Sequence, residues 1–80
     1  MDLHRCLQTF TVVVDQGSFN QAAKQLYRSA SQISKEISWL EGHFNTTLIN
    51  RTTRALHITD AGRHCYHTAK KLLSDVDSLK

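Results

Sequence analysis

Two capped helices are written into the stretch SFNQAAKQLYRSASQISKEISWLEGHF, Ser18 to Phe44. It opens with Ser18 followed three residues later by Gln21. In that capping-box pattern the serine oxygen takes up a backbone N–H that the first helical turn leaves unpaired. Phe19, Ala22, Ala23 and Leu26 then recur at helical steps and predict a short helix, whose two alanines let another helix come close. Ser29 and Gln32 repeat the capping pattern, and Ile33, Ile37, Leu40 and Phe44 follow at steps of 4, 3 and 4 residues. Asn45 tolerates the left-handed conformation and supplies the stop. Only a few residues around Tyr27-Arg28 separate the two helices, and helices joined this tightly form a helix-turn-helix.

Before this stretch, Leu3, Cys6, Leu7, Phe10 and Val14 lie on one face of a helix, and Gly17 ends it. The run Val12-Val13-Val14 alone would read as a strand, but the longer periodicity outweighs it. After Asn45 the pattern changes. Leu48-Ile49 and Leu56-His57-Ile58 are short apolar segments flanking Asn50-Arg51-Thr52-Thr53-Arg54. They predict two brief strands joined by a basic loop, a β-wing. Thr59 then caps a last helix, with Asp60 favourable near its positive end. Ala61, Cys65, Ala69, Leu72, Val76 and Leu79 form its apolar stripe, and Tyr66 and Leu73 a second one. The late 3–4 stepping resembles a coiled-coil seam. The expected fold is therefore mainly α: a three-helix core, a short two-stranded wing and a long C-terminal linker helix, a winged helix-turn-helix. Residues 1–58 make the winged unit and 59–80 the linker and dimerisation helix of the same structural unit.

Composition narrows the function. With 80 residues the chain is one small domain with a thin core, since a chain of this size buries only roughly 60% of its unfolded surface. No apolar run approaches the roughly 20 residues of a membrane span. The start, Met1-Asp2-Leu3-His4-Arg5, lacks signal-peptide features, and Cys6 and Cys65 form no disulfide framework. A cytoplasmic setting is expected. The net charge of +3 is uneven: residues 1–45 balance, and the whole excess lies in 46–80. Residues 46–59 hold Arg51, Arg54 and His57 and no acid. A domain of this type lays its second helix in the major groove of DNA. Ser31, Ser34, Lys35 and Ser38 then face the duplex, with Gln32 on the flank able to read an adenine. The helix start at Ser29 aims N–H groups at a phosphate. Arg51 and Arg54 suit a minor groove or phosphates. On spacing alone these side chains would be an ordinary solvated face; the capped helices and the basic wing support DNA contact only together with a family resemblance. Trp39 is read as a packing residue, and Cys6 and Cys65 as small core residues.

The order A-A-K-Q-L at 22–26, S-x-x-x-x-S at 29–34, I-S-W-L-E at 37–41, L-I-N-R at 48–51 and I-T-D-A-G at 58–62 resembles the DNA-binding domain of LysR-type transcriptional regulators. The resemblance covers essentially the whole chain. It implies sequence-specific binding of double-stranded DNA at an interrupted palindrome, and a homodimer formed through the last helix. Cys65, Ala69, Leu72, Leu73, Val76 and Leu79 would line that antiparallel pair. It also implies a larger C-terminal effector-binding domain, absent here, through which a small-molecule effector acts. The chain departs from the family at Ser29-Ala30-Ser31, where Ser-Gln-Pro is usual, and at Glu36, Asn45 and Ile49. Arg28 stands where a small aliphatic residue is usual, and is expected either to reach a phosphate or to lie along the surface. Glu36 near DNA would repel phosphate or accept from a cytosine amino group.

Other classes fare worse. His64, Cys65 and His67 are the only metal-like cluster, and a structural zinc site needs four ligands. No cofactor and no catalytic constellation is expected, so the chain is not read as an enzyme. The alternative is a winged-helix protein-interaction module that does not bind DNA.

Overall fold

The computed structural model describes residues 1–51 and 56–79. Helices α1 (Leu3–Gln16), α2 (Phe19–Leu26) and α3 (Ala30–Phe44) precede strands β1 (Ile49–Arg51) and β2 (Leu56–Ile58), and helix α4 (Asp60–Ser78) follows. This is the expected winged helix-turn-helix. The strands are antiparallel, with Ile49 opposite Ile58 and Arg51 opposite Leu56.

The helix ends are local chemistry. Ser18 accepts from the Gln21 N–H, Ser29 from the Gln32 N–H and Thr59 from the Gly62 N–H. Asp2 caps α1 in the same way through the His4 N–H. Helices α1, α2 and α3 each stop on a left-handed residue, Gly17 at φ 70°, Tyr27 at φ 56° and Asn45 at φ 53°. Such a residue lets the last N–H groups fold back onto orphan carbonyls. At Tyr27 a bulky side chain holds this conformation, which is uncommon.

The core lies where α1, α2, α3 and the first half of α4 meet. Cys6, Phe10, Val13, Ala22, Ile33, Ile37 and Leu40 are completely buried in it. Val13 is buried where Val14 was expected, and Val14 is half-buried. Positions three and four beyond Phe10 flank the same direction on a helix, and the core lies on the Val13 side. Phe44 ends the α3 stripe and is 44% exposed, on the wall of an apolar groove.

Contacts at the wing root fix the wing to the body. The Glu41 carboxylate accepts the backbone N–H groups of Leu48 at 2.8 Å and Ile49 at 3.2 Å. Thr59 donates its hydroxyl to the Thr47 carbonyl at 2.7 Å, and its N–H to the Leu48 carbonyl at 3.1 Å. The first turn of α4 then lies so close to Leu48 that a Cβ at Gly62 would stand 2.1 Å from the Leu48 carbonyl oxygen. Only glycine permits that approach.

Candidate nucleic-acid interface

The α3 face opposite Ile33, Ile37 and Leu40 carries Ser31, Lys35 and Ser38 exposed and Gln32 and Ser34 half-buried. Ser29, exposed at the start, already holds the Gln32 N–H at 3.1 Å. Arg51, at the end of β1, donates from Nη1 to Ser34 Oγ at 2.7 Å, and its guanidinium lies 4.8 Å from the Phe19 ring centroid. A cation over an aromatic face is attracted by the ring quadrupole. Arg51 thus joins the wing root, α3 and the start of α2. Arg54 falls outside the described residues.

Arg28 takes a different place from the one expected. Its side chain is 17% exposed, and Nη1 donates to the Glu36 carboxylate and, at 3.2 Å, to Thr9 Oγ1. Glu36 is 1% exposed. It also accepts from the Thr9 hydroxyl and, at 2.9 Å, from Gln32 Nε2, with Arg5 Nε at 3.7 Å. Burial alone would raise its carboxyl; the hydrogen bonds from Thr9, Gln32 and Arg28 outweigh it and hold the group below its ordinary range. Glu36 is therefore not presented to a phosphate. Glu41, the other acid of α3, is engaged by the wing. The face is left with hydroxyls, an amide and the Lys35 and Arg51 cations. Nothing in a reading of α3 by itself revealed the Glu36 cluster. The available signal was its position, three residues after Ile33 and four before Leu40, inside the apolar stripe.

Trp39 is half-buried and packs on the core, and its indole stacks on His43 with centroids 5.1 Å apart. This is the packing role expected of it.

Helix α4 grades from buried to bare. Ala69 is buried and Cys65 and Leu73 are half-buried, while Leu72, Val76 and Leu79 are exposed. An apolar groove of about 350 Å³ runs beside it, lined by Leu7, Phe44, Leu48, Cys65, Ala69 and Leu72. Burial pushes the Cys65 and Cys6 thiols up, away from reactive thiolates. Polar contacts tie α4 to the end of α1. The Tyr66 hydroxyl donates to Asp15, and Lys70 Nζ lies 3.1 Å from the same carboxylate. The Tyr66 hydrogen bond, aided by Lys70, lowers the Asp15 carboxyl. Among the described residues no three His, Cys, Asp or Glu side chains come together as a metal site, and no helix is long and apolar enough to cross a membrane.

The family model described as bacterial regulatory helix-turn-helix protein, lysR family, matches residues 4–63. The chain belongs to the LysR family. Its LysR relatives include the HTH-type transcriptional activator AaeR of Escherichia coli (strain K12), 38% identical over 79 residues that cover 99% of this chain and 26% of that protein. The HTH-type transcriptional repressor PA14_22550 of Pseudomonas aeruginosa (strain UCBPP-PA14) is 40% identical over 80 residues, covering 100% of this chain and 25% of that one. The chain therefore spans about a quarter of the length of these curated relatives. Among solved structures it is similar to that of the BenM_DBD/catB site 1 DNA complex, with a TM-score of 0.92 and 35% identity over 99% of this chain and 88% of that one. The CbnR_DBD–DNA complex follows at a TM-score of 0.91 and 28% identity, covering 98% of this chain and 88% of that one.

Proposed function

We propose that this chain is the DNA-binding head of a bacterial LysR-type transcription regulator, acting in the cytoplasm without catalytic chemistry of its own. Helix α3 enters the major groove. Ser31, Gln32, Ser34, Lys35 and Ser38 meet base edges and phosphates, and the N–H groups of the helix start at Ser29 meet a phosphate. Arg51 and Arg54 hold the backbone or the adjacent minor groove from the wing. Arg28 serves this surface from beneath, as the partner of Glu36.

The observation that carries the reading is the composition of the α3 face: two cations and short hydroxyls, with both acids of the helix engaged elsewhere. Its similarity in backbone to LysR DNA-binding domains solved on DNA supports the same docking. Residues 59–80 act as the dimerisation helix of the same unit. The exposed Leu72, Val76 and Leu79 beside Cys65, Ala69 and Leu73 fit an antiparallel pair with a second copy. A two-fold dimer matches a palindromic operator.

Affinity for a duplex pool, measured across a salt series, tests this. Binding should weaken steeply with salt, and Lys35→Ala should reduce both affinity and the salt slope, the slope by about one. Gln8→Ala, on the exposed side of α1, should change neither. Salt-independent affinity, or equal losses in both variants, would falsify the proposal.

A further inference from the structure

Glu36 lies beneath the face assigned to DNA, and Gln32 bridges the two. An ionised carboxylate is acceptor-only. Gln32 therefore turns its NH₂ group toward Glu36, at 2.9 Å. The flipped amide would set oxygen against oxygen. With one N–H given to Glu36, Gln32 retains its second N–H and its Oε1. Those two atoms match the major-groove edge of adenine, where N7 accepts and the N6 amino group donates. Gln32 sits in the first turn of α3, the part of a recognition helix that meets base edges. Thr9 from α1 and Arg28 from the turn hold the carboxylate in place from the other side.

We propose that Glu36 is a positioning residue for base recognition, fixing the sense of the Gln32 amide and so confining Gln32 to adenine. The inference rests on the DNA-binding reading and adds to it a specificity that Gln32 alone would lack. An unfixed amide turns either end outward and tolerates other bases.

The test is selection from duplexes carrying a randomised inverted repeat, followed by affinities for the selected site and its single-base substitutions. The intact chain should prefer adenine at one position of each half-site by at least about fivefold. Gln32→Ala should lose that preference alone. Glu36→Gln, whose oxygen stays on Arg28 and Thr9 and whose NH₂ group then draws the Gln32 oxygen inward, should lose it too while keeping the salt-dependent affinity. Arg28→Met/Glu36→Gln, which leaves no unpaired guanidinium, should behave as Glu36→Gln does. Thr9→Val should lower stability and keep the preference, because Arg28 still holds the same carboxylate oxygen and the Gln32–Glu36 bond is spared. In the unbound chain, one Gln32 side-chain N–H should exchange with water more slowly than the other. Retained preference in the Glu36 variants, an equal loss in Thr9→Val, or equal exchange of the two N–H atoms overturns the inference. Absence of salt-dependent binding by the intact chain overturns the DNA-binding reading itself.

Discussion

Helix α3 turns Ile33, Ile37 and Leu40 wholly into the core, each 0% exposed, whereas α4 leaves Leu72 51%, Val76 39% and Leu79 87% exposed. Both helices are long and amphipathic. The first finds its apolar partners within 80 residues, so its other face is available for a polar ligand. The second runs beyond the body and keeps an apolar stripe in water, the stripe proposed to pair with a second copy. One helix is spoken for by the fold on its apolar side, and the other is not.

Substitutions in the two stripes should therefore differ in kind. Ile37→Ala should cost about 2–5 kcal/mol of stability in denaturant unfolding, through lost transfer energy and a cavity. Leu72→Ala should stay within about 0.5 kcal/mol for the monomer, yet weaken self-association in sedimentation. If Leu72→Ala unfolds the monomer as Ile37→Ala does, the contrast fails. Glu36→Ala comes next. Stranding Arg28 and Thr9 under α3 should cost about 3 kcal/mol, the range seen when one partner of a buried pair is removed.

Acid tests the same site without mutation. The folded carboxyl of Glu36 lies below its ordinary value of 4.5. Its stabilisation is therefore fully present above the unfolded value and is lost as pH falls through the folded one. Stability measured against pH should drop below about 4, and Glu36→Gln should flatten that limb. Gly62→Ala should cost about 1–3 kcal/mol by thermal unfolding, since the new methyl meets the Leu48 carbonyl. Asp15→Asn should have a smaller effect than Gly62→Ala. It removes the charge that faces Lys70 and leaves an amide oxygen to accept from Tyr66, a change worth at most about 1 kcal/mol in such exposed settings. A larger loss would mean that α4 is held to the head more by its polar latch than by Ala69.

Much of this architecture was legible in the chain because capping and periodicity are local. Ser18, Ser29 and Thr59 announce helix starts within three residues, and Asn45 and Gly17 announce stops. The buried α3 stripe and the α4 seam follow from steps of 3 and 4. What stayed hidden depends on partners far along the chain. Thr9 lies 27 residues from Glu36. Neither residue alone says that a carboxylate on a helix proposed to face DNA turns inward and takes Arg28 and Gln32 with it. Glu41 is similar: as an isolated acid it reads as surface, and only the approach of Leu48 and Ile49 makes it the clamp of the wing. That Ser31, Lys35 and Ser38 share an exposed face was legible, while the support beneath them was not.

Backbone amide NMR separates the two helices in a single series. Adding duplex DNA should shift the signals of Ser31, Ser34 and Lys35, and raising protein concentration without DNA should shift those of Leu72, Val76 and Leu79. Two such disjoint responses are the predicted result. DNA that leaves the α3 signals unmoved while shifting only α4 would contradict the account.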